Sequence, residues 1–213
     1  MLKSTHLLCL VLVSNVVFSQ ADTIRLKNPS FEDTPKRGGN AMDGIIGWFD
    51  CGKINFPQES PPDIHPNGFW GNDSPAIDKD TYLGMVVRDN QTYESISTRL
   101  DTVLEANEVY SLSFYLSKAK IYRSMSRLTE EEADFLTPTI FRIWGGRGYC
   151  NEKELLYESP PIDHNNWKLY NIKIKPKYSY KSLTLSAYYD KNLDHPYNGH
   201  ILVDGISDII RVK

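Results

Sequence analysis

Asn28-Pro29-Ser30-Phe31-Glu32-Asp33, near the start of the chain, and His200-Ile201-Leu202-Val203-Asp204-Gly205-Ile206, just before its end, are a matched pair that decides how the rest is read. The first is a turn holding one aromatic and two acids, fed by strand-like residues 23–27. The second is a run of aliphatics with a single acid and a glycine that predicts a bend. Together they bracket nearly everything between them into one domain. Inside the bracket the dominant period is two. Tyr110, Leu112, Phe114 and Leu116 alternate with Ser111, Ser113, Tyr115 and Ser117, and Leu183, Leu185 and Ala187 alternate with Thr184, Ser186 and Tyr188. Each set is a strand with one buried face. Further strands are predicted over 45–49, 82–88, 93–100, 139–144, 154–158, 167–175 and 199–212, the last bent at Gly205. About ten short strands separated by turn signals make the chain all-β, a two-sheet antiparallel sandwich.

Two segments break the rhythm. Residues 55–75 are rich in Pro, Gly, Asn and Ser and carry Phe56, Phe69 and Trp70. The stretch is too long for a plain connector and is the first candidate for a functional loop. In residues 126–135, Thr129 and Glu132 stand at capping-box spacing, which predicts one short helical insertion between strands.

Residues 1–19 carry one charge, Lys3, and an apolar run over 7–18 that is too short to span a bilayer. They read as a cleavable signal peptide, with the cut before Gln20, and leave a single domain over 20–213. Removing them leaves two cysteines, Cys51 and Cys150, in a chain facing an oxidising compartment. One disulfide is the economical reading, and two buried free thiols are the other. Neither cysteine sits in a metal-binding or thiol-catalytic pattern.

The formal charge of −3 is well mixed, with no basic run to track phosphates, which argues against a nucleic-acid partner. Hydrolase elbows, zinc-protease helices and Walker loops are missing from the sequence, and the chain reads as non-enzymatic. Asp63 and His65, two residues apart among prolines, share a face if the segment is extended. They present polar groups from a rigid loop, or form a network that only fixes it. A polar ligand such as a glycan needs a flat aromatic beside amides, acids or arginines. Three places qualify: Phe69 and Trp70 with Asn72 and Asp73; Arg142 and Trp144 with Arg147; and Tyr188, Tyr189 and Asp190 with His195, Tyr197 and Asn198. For Trp144 and Tyr189 the alternative is a role covering the sandwich core.

The matched ends, with Trp48 and the strand through Phe114, resemble the galactose-binding-like jelly rolls that include several carbohydrate-binding module families. That resemblance implies a jelly-roll topology and a structural calcium held by Glu32 and Asp204, unless the two acids only accept backbone hydrogen bonds where the termini meet. Gly47-Trp48-Phe49-Asp50-Cys51-Gly52, Glu59-Ser60-Pro61-Pro62-Asp63-Ile64-His65-Pro66 and Tyr82-Leu83-Gly84-Met85-Val86-Val87-Arg88 with Tyr93-Glu94-Ser95 are similar to a module of exported Bacteroidetes proteins associated with gliding, secretion and OmpA-like domains. This second resemblance implies an exported protein of the periplasm or cell surface, peripheral to the outer membrane. With no fused wall-binding region in the sequence, the expected role is a protein-interaction subunit of an envelope or surface complex. The alternative is a module that binds cell-surface or cell-wall polysaccharide.

Overall fold

The computed structural model describes residues 23–38, 44–52, 61–194 and 196–212. The expected signal peptide and His195 lie outside them. In chain order the strands are β1 (Thr23–Ile24), β2 (Phe49–Asp50), β3 (Asp63–His65), β4 (Tyr82–Val87), β5 (Ser95–Leu104), β6 (Tyr110–Ser117) and β7 (Arg123–Met125). They continue with β8 (Glu132–Asp134), β9 (Thr139–Gly146), β10 (Glu154–Glu158), β11 (Lys168–Ile174), β12 (Tyr180–Tyr189), β13 (Gly199–Asp204) and β14 (Ile209–Arg211). All pairings between them are antiparallel, in a larger sheet ordered β1-β14-β6-β13-β4-β3 with β11 beside β6, a smaller one ordered β10-β9-β12-β5-β2, and a separate pair β7-β8. The two sheets make the sandwich expected from the alternating runs, with the jelly-roll topology that the family resemblance implies. Phe114 of the larger sheet meets Phe141 of the smaller one at 5.1 Å between ring centroids, inside a continuous core of aliphatic and aromatic side chains.

The matched ends meet. Thr23 pairs with Ile210. Tyr115 pairs with both Leu169 and Asp204, and Ser111 with both Lys173 and Ile210. A residue has only two edges, so β13 and β14 share one edge of β6 while β11 takes the other. The last strand is therefore one strand broken at Gly205, whose φ of 53° suits glycine. At the other end, Asn28 Oδ1 accepts the N–H of Glu32 at 2.8 Å, and the turn this closes drives Phe31 into the core, fully buried against Trp48. Burying one such aromatic side chain contributes about 1.5–3 kcal/mol.

Three local expectations are corrected. Residues 126–135 hold no helix but part of the β7–β8 hairpin, Arg123 pairing with Asp134 and Met125 with Glu132. The capping residue is Ser126, whose Oγ accepts the N–H groups of Leu128 and Thr129, and Glu130 at φ 59° ends the turn before a second can form. The strand expected over 45–49 begins only at Phe49, because Gly47 (φ 82°) and the bond from Trp48 N–H to the Ile45 carbonyl make a turn. Within 55–75, residues 63–65 are β3, paired with β4, rather than loop.

The hairpin insertion explains a feature that alternation alone does not show. Leu83, Met85 and Val87 face the core between the sheets, while Tyr82, Val86 and Leu202 face outward. Ala119, Tyr122 and Phe135 of the insertion cover them as a second cluster. The larger sheet is thus buried on both sides around β4 and β13. No helix among the described residues is long and apolar enough to cross a membrane.

Candidate functional site

The residues singled out in the sequence fall into separate places. Asp63, His65 and Trp70 come together on the outer side of the larger sheet, beneath the insertion. Asp63 Oδ2 accepts from Trp70 Nε1 at 2.9 Å and from the Tyr122 hydroxyl at 2.5 Å, and Oδ1 accepts the Gly38 N–H at 2.6 Å. His65 stacks on Tyr82 and is fully buried, with both ring nitrogens lacking a hydrogen-bond partner among the described residues. Burial holds its pKa below the usual imidazole value, against the pull of Asp63. His200, stacked on Tyr122, bonds the Ala119 N–H and the Phe135 carbonyl, and burial pushes it down to about 3. Beside them Arg88 and Glu94 form a buried ion pair, in which burial pushes the Glu94 carboxyl up to about 8 despite Arg88. The cavity among Asp63, Trp70, Arg88, Glu94, Tyr122 and Arg127 is only about 30 Å³. That admits a water or two and no sugar ring. Phe69 lies at the rim, where Arg37 covers both Phe69 and Trp70 at 5.3 and 5.6 Å.

Tyr189 and Tyr197 meet edge to face at 5.2 Å. Their hydroxyls are spent on backbone, Tyr189 on the Arg88 carbonyl and Tyr197 on the Pro138 carbonyl and the Asp190 N–H. Glu32 and Asp204 converge on one turn. Glu32 Oε1 accepts from the N–H groups of Asp80 and Thr81, and Asp204 Oδ2 from those of Ile77 and Asp78. Burial first, and Asp78 among the lesser causes, push Asp204 up to about 6. Carboxylate oxygens are the donors a hard cation takes. Here they are engaged by backbone N–H groups, and no three His, Cys, Asp or Glu among the described residues are grouped as metal ligands.

Arg142 and Trp144 lie on the opposite side of the molecule, on the outer face of the smaller sheet. Strand register builds that face in rows. Leu155, Trp144, Thr184, Ser97 and Phe49 form one row across all five strands; Glu158, Arg142, Ser186 and Ser95 form the next; Gly146, Ser182 and Arg99 a third. The middle of the face is a bed of small hydroxyls, fully buried and bonded to one another or to backbone, as Thr184 to Ser97 and Ser182 to the Gly148 carbonyl. Larger groups rise on either side. Trp144 Nε1 reaches Ser186 Oγ at 3.1 Å, and Arg142 lies 3.4 Å from the Tyr188 ring centroid while pairing with Glu158 at 2.7 Å. At the far edge Phe49 and Tyr149, 55% and 46% exposed, stack at 5.3 Å, with Arg99 over Tyr149 at 5.0 Å. Trp144 and Phe49 are three strands apart, roughly 14 Å at the usual strand spacing.

The far edge is held by the disulfide between Cys51 and Cys150, whose Cα atoms are 5.3 Å apart. It ties β2 to the loop after β9. Phe49, Arg99, Tyr149 and Glu158 did not stand out in the sequence. The usable signal was an aromatic close before each cysteine, which the bond then brings together.

No family model matches the chain, and no curated protein matches it in sequence. In three dimensions it is similar to an arabinose-bound α-L-arabinofuranosidase, with a TM-score of 0.56 and 10% identity. The overlap covers 89% of this chain but only 26% of that one. It is also similar to the CBM22-1 xylan-binding domain from Paenibacillus barcinonensis, with a TM-score of 0.46, 17% identity, and 92% and 98% of the two chains covered. The K1 cleaved adhesin domain of Lys-gingipain from Porphyromonas gingivalis gives 0.45 and 11%, over 83% and 98%. The chain shares the jelly-roll fold that the resemblance of its matched ends implies. At such identities likeness speaks for the fold alone.

Proposed function

We propose that this protein is an exported, non-catalytic glycan-binding module that works through the outer face of the smaller sheet. The observation that carries the reading is the row from Trp144 to Phe49. It sets aromatic rings at both ends of a strip roughly 14 Å long, enough for two or three sugar units, with polar groups alongside. Trp144 is the stacking platform. Arg142 and Glu158, held against each other, offer donors and acceptors to hydroxyls. A disulfide in the fold agrees with an oxidising, extracytoplasmic location.

The envelope-complex reading, centred on Phe69 and Trp70, has less support. Neither Phe69 nor Trp70 is among the exposed large hydrophobic side chains, whereas Phe49 and Tyr149 of the smaller sheet's face are. Replacing Trp144 by alanine should leave the protein folded with a lowered melting temperature, since it removes the bond to the buried Ser186 hydroxyl. It should weaken polysaccharide binding, measured by affinity electrophoresis, by about 2 kcal/mol, the loss expected of a central aromatic anchor. Full retention of binding in Trp144→Ala would move the site off this face.

A further inference from the structure

The two ends of the face differ in charge. At the Trp144 end the arginine is neutralised: Arg142 Nη2 and Nε both bond Glu158 Oε2, at 2.7 and 2.8 Å. At the Tyr149 end it is not. Arg99 is exposed and stacks on Tyr149, and the ion pairs among the described residues do not include it. Asp101, the nearest acid along β5, accepts the N–H of Arg25. An arginine laid on an aromatic ring keeps its planar fork of donors pre-set at little entropic cost, and that fork matches a carboxylate or sulfate group.

Resting on the glycan-binding reading, we propose that the Arg99–Tyr149–Phe49 end is an acidic subsite, and that the preferred ligand is a polysaccharide carrying anionic groups. The neutral part of the chain lies over Trp144 and the Arg142–Glu158 pair. Its anionic substituent meets Arg99. The disulfide belongs to this subsite as its clamp, since it fixes the loop bearing Tyr149 against β2.

The test is affinity electrophoresis against a panel of uronate-containing polysaccharides, each run beside its carboxyl-reduced form, and of sulfated polysaccharides beside their desulfated forms. Wild-type protein should bind an acidic member at least about tenfold more tightly than its neutral twin, and the gap should shrink with added salt. Arg99→Gln should close most of that gap by weakening binding to the acidic form far more than to its neutral twin. Trp144→Ala should weaken both forms. The pair that shows the gap identifies the anion as carboxylate or sulfate. Equal binding of acidic and neutral twins, or an acidic preference untouched by Arg99→Gln, overturns the acidic subsite while leaving glycan binding standing. Failure of wild-type protein to bind any member, acidic or neutral, overturns the glycan reading itself.

Discussion

The imidazole of His65 lies over Gly84, where an added Cβ would come within 2.8 Å of both Cδ2 and Nε2. The ring cannot swing away freely, because Tyr82 stacks on it and Tyr122 closes its edge. Gly84 is therefore a packing requirement in the middle of β4, and Gly84→Ala should destabilise the protein by about 1–3 kcal/mol in urea unfolding. Trimming the ring with His65→Ala should make room, so the double variant should lose clearly less than the two single losses summed. Simple additivity would mean that the ring is not what confines the glycine. The pairing of Asp63 with His65 on one face could be read from their spacing and the surrounding prolines. What they face could not, because Trp70 and Tyr122 reach Asp63 from a short turn and from the insertion.

At the scale of elements, the disulfide closes a loop with a sequence separation of 99 and is the only covalent tie between β2 and the loop after β9 among the described residues. Replacing both cysteines by serine should cost up to about 4.7 kcal/mol of stability, the chain-entropy limit for a loop of that size, measured as a lower denaturant midpoint. Wild-type protein, denatured without reductant, should show no titratable thiol, and two thiols would reject the bond. Long strands with clean alternation were legible: β6 and β12 run as the serine and leucine patterns dictate. The hairpin at 126–135 was not, because Thr129 and Glu132 mimic a helix start while Ser126 and the left-handed Glu130 limit it to one turn. The proposed ligand face was half legible. Trp144 and Arg142 stood out as residue types, but strand order alone brings Phe49 and Arg99 into line with them.

For the molecule as a whole, the junction of its two ends is the place where charge and fold are coupled. Glu32 follows the first strand, Asp204 ends β13, and both hold the turn at 77–81. Calcium at Glu32 and Asp204 stays a proposal here, on donor chemistry alone, beside the N–H contacts already made. The Asp204 carboxyl is pushed from 3.8 up to about 6, by burial first, with the charge of Asp78 adding to the rise and N–H bonds opposing it. An acid whose folded pKa is raised binds its proton more tightly in the native state. Its contribution to stability is therefore present at low pH and is lost as pH rises from about 4 through 6. A cation at the junction would restore that loss only where Asp204 is ionised. Thermal melts with calcium and with a chelator should then separate at pH 8, by an amount equivalent to about 2.7 kcal/mol at a hundredfold excess over the dissociation constant, and by only about half as much at pH 5, where Asp204 is mostly protonated. If the melts coincide at both pH values while Asp204→Asn stabilises the protein at pH 8, the two acids act purely as acceptors of backbone N–H groups, and the ends of the chain are joined without metal.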